Sequence, residues 1–254
     1  MHKKILITGA SSGIGEALAL SLAPLATELY LLARREERLI GLRERILSIY
    51  PRLHIHLLIK DVTDPDLLNY LEEKAPEIDI LINNAGLALG RDKVEKSELS
   101  DWQKMFDVNV HSLFKITHFY LPQMLKKTWG DIVNIASIAG IVTYPGGSVY
   151  CATKHAVRAF TKVLREEVAG KNVRIMMISP GMVETEFSLV RFKGNEVEAD
   201  KVYEGMTPLL PEDIARMIHF MLIQPRHVVI DEIVTMPTDQ GSATTVHRAK
   251  NENP

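Results

Sequence analysis

The chain of 254 residues has a single cysteine, few aromatic side chains and no long apolar run. Because Cys151 cannot form a disulfide within the chain, the sequence predicts a reduced, cytoplasmic setting. No stretch approaches the ~20 apolar residues of a membrane span, and the apolar run near the start is too short for a signal peptide. The formal net charge of −2 provides no basic excess. We therefore expect no nucleic-acid partner, no membrane partner and no metal site.

Hydrophobic residues make up 46% of the chain and charged residues 24%, as in a globular protein with a substantial core. Short apolar runs alternate with longer helix-like segments, an order typical of a parallel sheet covered by helices on both faces. The seven predicted strands are 4–8, 28–33, 54–60, 78–82, 131–136, 173–179 and 228–234. The six predicted helices are 13–25, 36–50, 64–74, 101–127, 150–169 and 211–224. The sequence thus predicts an α/β fold, one doubly wound domain over residues 1–254 with seven parallel strands.

Residues 184–210 differ from the rest of the chain because they are mixed in composition and longer than an ordinary connection. A segment of this kind often covers a binding site, and we predict a substrate lid here. The polar residues 249–254 are expected to fray.

A glycine-rich turn follows the first predicted strand and opens the first helix. Glycines let the backbone turn tightly and approach a pyrophosphate, while the start of the helix supplies N–H donors. A purely structural turn is the alternative, but the position between strand and helix favours nucleotide binding. The predicted cofactor residues in this turn are Gly9, Ser11, Ser12, Gly13, Ile14 and Gly15.

Arg34 and Arg35 stand at the end of the second predicted strand, where an acidic residue would bind the ribose hydroxyl of NAD. A guanidinium instead matches the 2′-phosphate of NADP, so the sequence favours NADP. The alternative is a solvated basic helix start that pairs with Glu36 and Glu37.

Two further strand ends are predicted to contact the cofactor. Asp61 and Val62 follow the third strand, where the carboxylate would lie near the adenine amine; a cap for the helix near Asp64 is the equally weighted alternative. Small residues at the end of the fourth strand would let the cofactor cross the sheet edge, and the predicted contacts there are Asn83, Ala85 and Gly86.

Tyr150 and Lys154 are four residues apart on a predicted helix, so their side chains project from one face. A neighbouring ammonium favours the phenolate, and we expect Lys154 to lower the pKa of Tyr150 for acid–base chemistry. Ser137 ends the fifth strand and could hold a substrate oxygen. Asn109 alone would be interpreted as a satisfied amide, and Lys154 alone as a surface lysine.

With these motifs in their order and spacing, the chain resembles the short-chain dehydrogenase/reductase family over essentially its whole length. The matching residues are Thr8, Gly9, Gly13–Gly15, Asn83–Gly86, Asn109, Ser137, Tyr150, Lys154, Pro180 and Gly181. The resemblance implies a Rossmann-type fold and a catalytic tetrad of Asn109, Ser137, Tyr150 and Lys154. It also implies that Pro180, Gly181, Val183 and Thr185 flank the nicotinamide, with the Val183 backbone at the carboxamide, and that helices 101–127 and 150–169 form a subunit interface in dimers or tetramers.

Further stretches, 84–90, 190–194, 236–238 and 246–248, resemble the branch of NADP-dependent 3-hydroxy acid (serine/allo-threonine) dehydrogenases. For such a substrate, Arg191 and Lys193 are the candidate cations for the carboxylate, with solvated lid charges as the alternative. Tyr144, Gly146 and Gly147 could line the pocket. Two other functions stay open: a broad ketone or aldehyde reductase, and a non-catalytic NADP-binding sensor.

Overall fold

The computed structural model describes residues 3–249, which form one seven-stranded parallel sheet with helices on both faces. The strands are β1 (Lys4–Thr8), β2 (Glu28–Ala33), β3 (His54–Ile59), β4 (Ile80–Asn83), β5 (Gly130–Ile135), β6 (Val173–Pro180) and β7 (Glu232–Thr235). Their order in the sheet is β3-β2-β1-β4-β5-β6-β7. The predicted fold class is confirmed, and the strands are apolar because both faces of the sheet are covered.

Nine α-helices connect the strands within residues 3–249. They are α1 (Gly13–Leu22), α2 (Glu36–Ile49), α3 (Leu67–Lys74), α4 (Leu99–Phe106), α5 (Ser112–Lys127), α6 (Ser148–Glu167), α7 (Phe187–Arg191), α8 (Glu196–Asp200) and α9 (Pro211–Ile223). Helices α1, α2 and α9 pack on one face of the sheet, and α3, α5 and α6 pack on the other. In the part of the chain that the structure describes, no helix has the length and apolar content to cross a membrane.

The alternation of side chains along the central strand explains the two layers. Ile5 and Ile7 of β1 join the core beneath α1, while Leu6 between them joins the core on the opposite face. Since β1 pairs with both β2 and β4, the direction of winding reverses beside it. In open α/β sheets, ligands bind at the carboxyl ends of the strands beside such a reversal.

The structure corrects three predicted elements. Residues 228–231 are an irregular connection that follows the turn closed by the Val228 N–H and the Pro225 carbonyl, and β7 begins only at Glu232. The predicted continuous helix 101–127 begins at Leu99 and is interrupted by a π-helical turn, Asp107–His111. The predicted lid contains two short helices, α7 and α8, that the mixed composition did not reveal. Apart from Ala249, the prediction for 249–254 lies outside the described residues.

Candidate active site

A cavity of about 910 Å³ opens at the carboxyl edge of the sheet. Its walls come from the turns after β1 to β6, from the predicted lid and from the C-terminal segment. The predicted site residues that line it are Gly9, Ser11, Ser12, Gly13, Ile14, Arg34, Arg35, Asp61, Val62, Ala85, Gly86, Ser137, Tyr144, Tyr150, Lys154, Pro180, Gly181, Val183, Thr185 and Arg191. One cavity therefore collects motifs that are up to 182 residues apart, from Gly9 to Arg191.

The glycine-rich turn needs glycine for close packing. Gly9 has a φ of +67°, and a Cβ there would lie 3.0 Å from the Ala85 Cα atom. Gly15 does not line the cavity: a Cβ on it would meet the Gly9 carbonyl oxygen at 2.3 Å. The expected cofactor contact of Gly15 stays a prediction. Its role in this structure is to let α1 approach the turn that lines the cavity.

Arg35 lies at the centre of a polar cluster with the two serines of the glycine-rich turn. Its Nε donates to Ser11 Oγ at 3.2 Å, and one Nη donates to Ser12 Oγ at 2.7 Å. The other Nη donates to the Glu186 carboxylate at 2.8 Å, and Arg38 donates to the same carboxylate at 3.2 Å. The cluster places the Arg35 guanidinium and two hydroxyls at one end of the cavity, with Arg38 behind them on Glu186, a donor set that suits a phosphate.

Asp61 also lines the cavity, and its carboxylate organises the local turn. It accepts hydrogen bonds from the Thr63 backbone N–H at 2.9 Å and from the Thr63 hydroxyl at 2.8 Å, and it pairs with Arg34 at 3.4 Å. Burial alone would raise the pKa of Asp61, but the Thr63 hydrogen bonds and the Arg34 charge leave it below its ordinary value. The alternative of a helix cap is wrong, because α3 begins only at Leu67.

The two adjacent asparagines at the end of β4 have different roles. Asn83 is buried behind the cavity wall, where its Nδ2 donates to Asn134 Oδ1 and Thr117 Oγ1. The cofactor contact predicted for Asn83 stays a prediction, and the observed side-chain contacts tie β4 to β5 and α5. Asn84 lines the cavity, and its Nδ2 donates to the carbonyls of Thr8 and Gly9. Sequence reasoning missed Asn84, although it belongs to the same motif.

Tyr150, Lys154 and Ser137 meet in the middle of the cavity. Tyr150 and Lys154 are one turn apart on α6, and the Lys154 Nζ atom lies 5.9 Å from the centre of the Tyr150 ring. Lys154 donates to the carbonyl of Ile135, the last residue of β5, at 2.9 Å. Ser137 follows that strand and accepts a hydrogen bond from the Ala139 N–H at 3.1 Å. The end of β5 and the first turns of α6 thus hold all three groups.

The predicted lowering of the Tyr150 pKa is wrong for this structure. Tyr150 is 9% exposed and Lys154 6% exposed, and burial disfavours the charged form of each. Burial raises the pKa of Tyr150, with a smaller contribution from Tyr144, while Ser137 and the charge of Arg191 act in the opposite direction. Burial also lowers the pKa of Lys154 to about 8. The cation that opposes the rise of the Tyr150 pKa is therefore Arg191 rather than Lys154.

Asn109 lies in the π-helical turn and does not line the cavity. Its Nδ2 donates to the Leu87 carbonyl and to Thr153 Oγ1, and its Oδ1 accepts from the Leu87 N–H. A Cβ on Gly86 would lie 3.4 Å from Asn109 Oδ1 and 3.6 Å from Lys154 Nζ. The Asn109 amide and the Lys154 ammonium thus both lie next to the Gly86 backbone. A π-helical turn, such as the one that carries Asn109, often occurs at a functional site.

Arg191 brings a positive charge to the part of the cavity that contains Tyr150. Its Nε donates to the Gly90 carbonyl at 3.1 Å, one Nη to the Tyr144 hydroxyl at 3.3 Å and the other to the Gly146 carbonyl at 3.4 Å. Within the described part of the chain, these bonds occupy three of the five N–H donors of a guanidinium. The guanidinium carbon lies 5.8 Å from the centre of the Tyr150 ring.

The other predicted substrate residues lie outside the large cavity. Lys193 is exposed and pairs with Asp101 of α4 at 2.7 Å, so it attaches the lid instead of facing the cavity. Gly146 and Gly147 line a small neighbouring pocket. A Cβ on Gly147 would meet the Tyr144 ring at 2.3 Å, so Gly147 makes room for that ring.

The segment after β6 forms the wall opposite Tyr150. The Val183 carbonyl accepts a hydrogen bond from the Tyr203 hydroxyl at 2.8 Å, so its N–H is the backbone group left for a ligand. The Phe187 ring packs 5.6 Å from the Tyr150 ring, and the Gln240 Oε1 atom accepts a hydrogen bond from the Met182 N–H at 2.8 Å. Phe187 and Gln240 line the cavity and were missed, because neither belongs to a recognisable motif.

Comparison with known proteins gives the family of the chain. The model of the family described as short chain dehydrogenase matches residues 3–195, and the chain belongs to that family. An NADP-dependent 3-hydroxy acid dehydrogenase of Schizosaccharomyces pombe is 45% identical over 97% of this chain and 96% of the relative. Sulfoacetaldehyde reductase 2 of Chromohalobacter salexigens is 40% identical over 98% of this chain and 100% of the relative. The closed form of serine dehydrogenase complexed with NADP⁺ superposes with a TM-score of 0.88 at 38% identity, covering 96% and 99% of the two chains.

Proposed function

We propose that the protein is an NADP-dependent oxidoreductase that acts on a small 3-hydroxy acid, such as serine or allo-threonine, or on the corresponding carbonyl compound. The observation that carries the proposal is the position of Arg191, 5.8 Å from the Tyr150 ring in the same cavity. An acid–base group and a cation at this separation suit a substrate with a hydroxyl and an acid group close together. The names of the similar proteins support the same class.

The cavity residues fit NADP. Arg35, with Ser11 and Ser12, forms a cluster that suits the 2′-phosphate, and Arg34 lies beside it. The turn at Gly9, where a positive φ is adopted, would let the backbone approach a pyrophosphate. Pro180, Gly181, Val183 and Thr185 would hold the nicotinamide end near Tyr150. When bound, NADP would supply the nicotinamide ring that carries the hydride.

We assign the proton transfer to Tyr150. In oxidation its phenolate accepts the proton of the substrate hydroxyl, and in reduction its phenol donates that proton. Ser137 holds the substrate oxygen, a preorganised contact worth ~3 kcal/mol. Lys154 would hold the ribose at the nicotinamide end, and Asn109 positions the backbone at Leu87. Because burial raises the pKa of Tyr150, the phenol is the resting form of the side chain, and this is the form that donates a proton to a carbonyl oxygen in reduction.

Arg191 would bind the acid group with its two remaining N–H donors. In a 3-hydroxy acid, one carbon separates the reacting carbon from the carboxylate carbon. In sulfoacetaldehyde, the substrate in the name of the similar reductase, one carbon likewise separates the reacting carbon from the sulfonate sulfur. The shared feature is an anion at this spacing, and we propose it as the substrate class. The segment 184–210, which carries Arg191, would act as the lid.

We further propose that the protein works in the cytoplasm as a homo-oligomer. The supporting feature is a row of small or apolar residues along one face of α6, namely Ala152, Ala156, Ala159 and Val163, of which Val163 is 54% exposed. Residues three and four apart share a helix face, so a second helix could pack closely there. Light scattering of the purified protein measures the oligomer, and a Val163→Glu variant should dissociate it. A monomeric wild type would contradict this assembly.

The direct test of the function is a substrate panel run with NADP and NAD side by side. The panel contains serine, allo-threonine, 3-hydroxypropanoate and isethionate, together with neutral alcohols of matched size. We expect the acids to be oxidised at least tenfold more efficiently than the neutral alcohols, and NADP to be preferred. Equal efficiencies would support a broad reductase instead. Tight NADPH binding without turnover on any carbonyl or alcohol would support a sensor.

A further inference from the structure

The Glu186 carboxylate occupies the cluster that we assign to the 2′-phosphate. It accepts from Arg35 at 2.8 Å and from Arg38 at 3.2 Å, and it lines the cavity. Glu186 comes from the lid segment, whereas both arginines come from the chain just after β2, about 150 residues earlier. The lid therefore supplies a negative charge to a site whose proposed ligand is itself negative.

The donors of Arg35 are almost fully used in this arrangement. A guanidinium has five N–H donors. Four of the five have acceptors: Ser11 Oγ, Ser12 Oγ, the Ser11 carbonyl at 3.5 Å and the Glu186 carboxylate. A phosphate that binds a guanidinium in its usual two-point manner needs two donors. It must therefore take over at least one donor that already has an acceptor, and the Glu186 carboxylate is the negatively charged acceptor among the four.

We propose that Glu186 is a specificity-determining residue that competes with the cofactor 2′-phosphate for Arg35 and Arg38 and so limits the preference for NADP over NAD. The proposal rests on the proposed use of NADP. NAD has a hydroxyl at this position and does not need the two guanidinium groups, so Glu186 acts only on the phosphorylated cofactor. The side chains of Arg35 and Glu186 are 44% and 37% exposed, which makes the pair exchangeable rather than permanent.

The lid has other attachments, so the competition can be tested without releasing it. Arg191 donates to the Gly90 carbonyl, the Gly90 N–H donates back to the Arg191 carbonyl at 2.9 Å, and Lys193 pairs with Asp101. Replacing Glu186 by glutamine removes the charge and keeps the shape. Glu184→Gln is the matched control, because Glu184 is exposed, lies two residues away and carries the same charge.

The experiment titrates purified wild type, Glu186→Gln and Glu184→Gln with NADPH and with NADH, following cofactor fluorescence. Because exposed ion pairs contribute little, we expect Glu186→Gln to tighten NADPH binding by only about threefold. NADH binding should stay unchanged, and Glu184→Gln should change neither. A weaker or unchanged affinity for NADPH in Glu186→Gln would overturn the proposal, as would an equal change for both cofactors.

Failure of the proposed function gives a different result in the same titration. If the wild type binds neither dinucleotide, or binds NADH as tightly as NADPH, the NADP assignment itself is wrong. A thermal melt of each variant confirms that the comparison is made on folded protein.

Discussion

The two edges of the sheet both carry arginine–carboxylate clusters, but the clusters differ in burial. At the amino edge, the side chains of Arg174 and Asp131 are 3% and 1% exposed, and the two residues are directly opposed in neighbouring strands. At the carboxyl edge, the side chains of Arg35 and Glu186 remain 44% and 37% exposed. The guanidinium–carboxylate pair is buried at the amino edge and open to solvent at the carboxyl edge. A ligand can therefore compete for the second pair but not for the first.

The amino-edge cluster satisfies every donor of its buried arginine. Arg174 binds both oxygens of Asp131 at 2.7 and 2.8 Å, and its other N–H groups donate to the carbonyls of Leu222, Gln224 and Val228. Arg226 also donates to Asp131 and lies 4.6 Å from the Trp129 ring centre. No N–H of Arg174 is left for a ligand. This edge therefore stabilises the fold, whereas the carboxyl edge keeps donors for chemistry.

The largest expected effect tests the carboxyl edge. Tyr150→Phe removes the proposed proton donor and acceptor while keeping the ring against Phe187. We expect kcat to fall by about 10⁴-fold, the upper range for acid–base catalysis, with NADPH affinity and melting temperature nearly unchanged. Steady-state kinetics and a fluorescence titration measure these quantities. Turnover at the wild-type rate would show that Tyr150 does not transfer the proton.

The next effect tests the amino edge. Asp131→Ala leaves the Arg174 guanidinium buried without its carboxylate, and such a loss costs about 4 kcal/mol of unfolding free energy. Denaturant unfolding measures the loss. The KM for NADP should not change, because Asp131 lies at the opposite edge from the cavity. A variant with normal stability and weakened cofactor binding would contradict the division between the two edges.

Lys154 is a carboxyl-edge residue that should also affect stability, in a pH-dependent way. Below about pH 8 the lysine is protonated in both states, and the folded protein bears the full cost of burying the charge. Above pH 10.5, the ordinary value, it is neutral in both states and the cost disappears. Between these values the unfolded chain binds more protons, so unfolding free energy should rise with pH by roughly 3 kcal/mol relative to Lys154→Met.

Paired unfolding measurements at pH 7.5 and pH 10.5 check this sign. The unfolding free energy of the wild type, minus that of the Lys154→Met variant, should be larger at pH 10.5 than at pH 7.5. A difference that is the same at both values would mean that burial does not shift the lysine pKa.

The smallest of these effects sharpens the substrate assignment. Arg191→Ala removes the proposed anion contact, and hydrogen bonds to charged groups are worth about 2 kcal/mol. We therefore expect KM for 3-hydroxy acids to rise about 30-fold, with a much smaller change for neutral alcohols. Lys193→Ala is the control from the same lid, because Lys193 pairs with Asp101 outside the cavity. An equal change in KM for acids and for neutral alcohols would show that Arg191 does not bind the carboxylate.

Local patterns were sufficient to predict most of the sheet and the cofactor end of the cavity. The strand at Lys4–Thr8, the turn at Gly9 and the arginines after β2 are each short segments whose chemistry depends on neighbours in sequence. Local sequence patterns could not show that Gly15 and Asn83 lie behind the wall of the cavity. Their contacts, with Gly9 and Asn134, come from packing between elements.

The sequence by itself determined the α/β fold, the spacing of Tyr150 and Lys154 on one helix face, and the basic residues at the end of β2, because each depends on local periodicity or on motif order. Only the tertiary structure decided that Tyr150 and Lys154 are both buried and that the Arg191 guanidinium lies 5.8 Å from the Tyr150 ring centre. It also decided that Glu186 meets Arg35 across the cavity. The physical reason is that pKa shifts and ion pairs depend on desolvation and on distances between segments far apart in the chain.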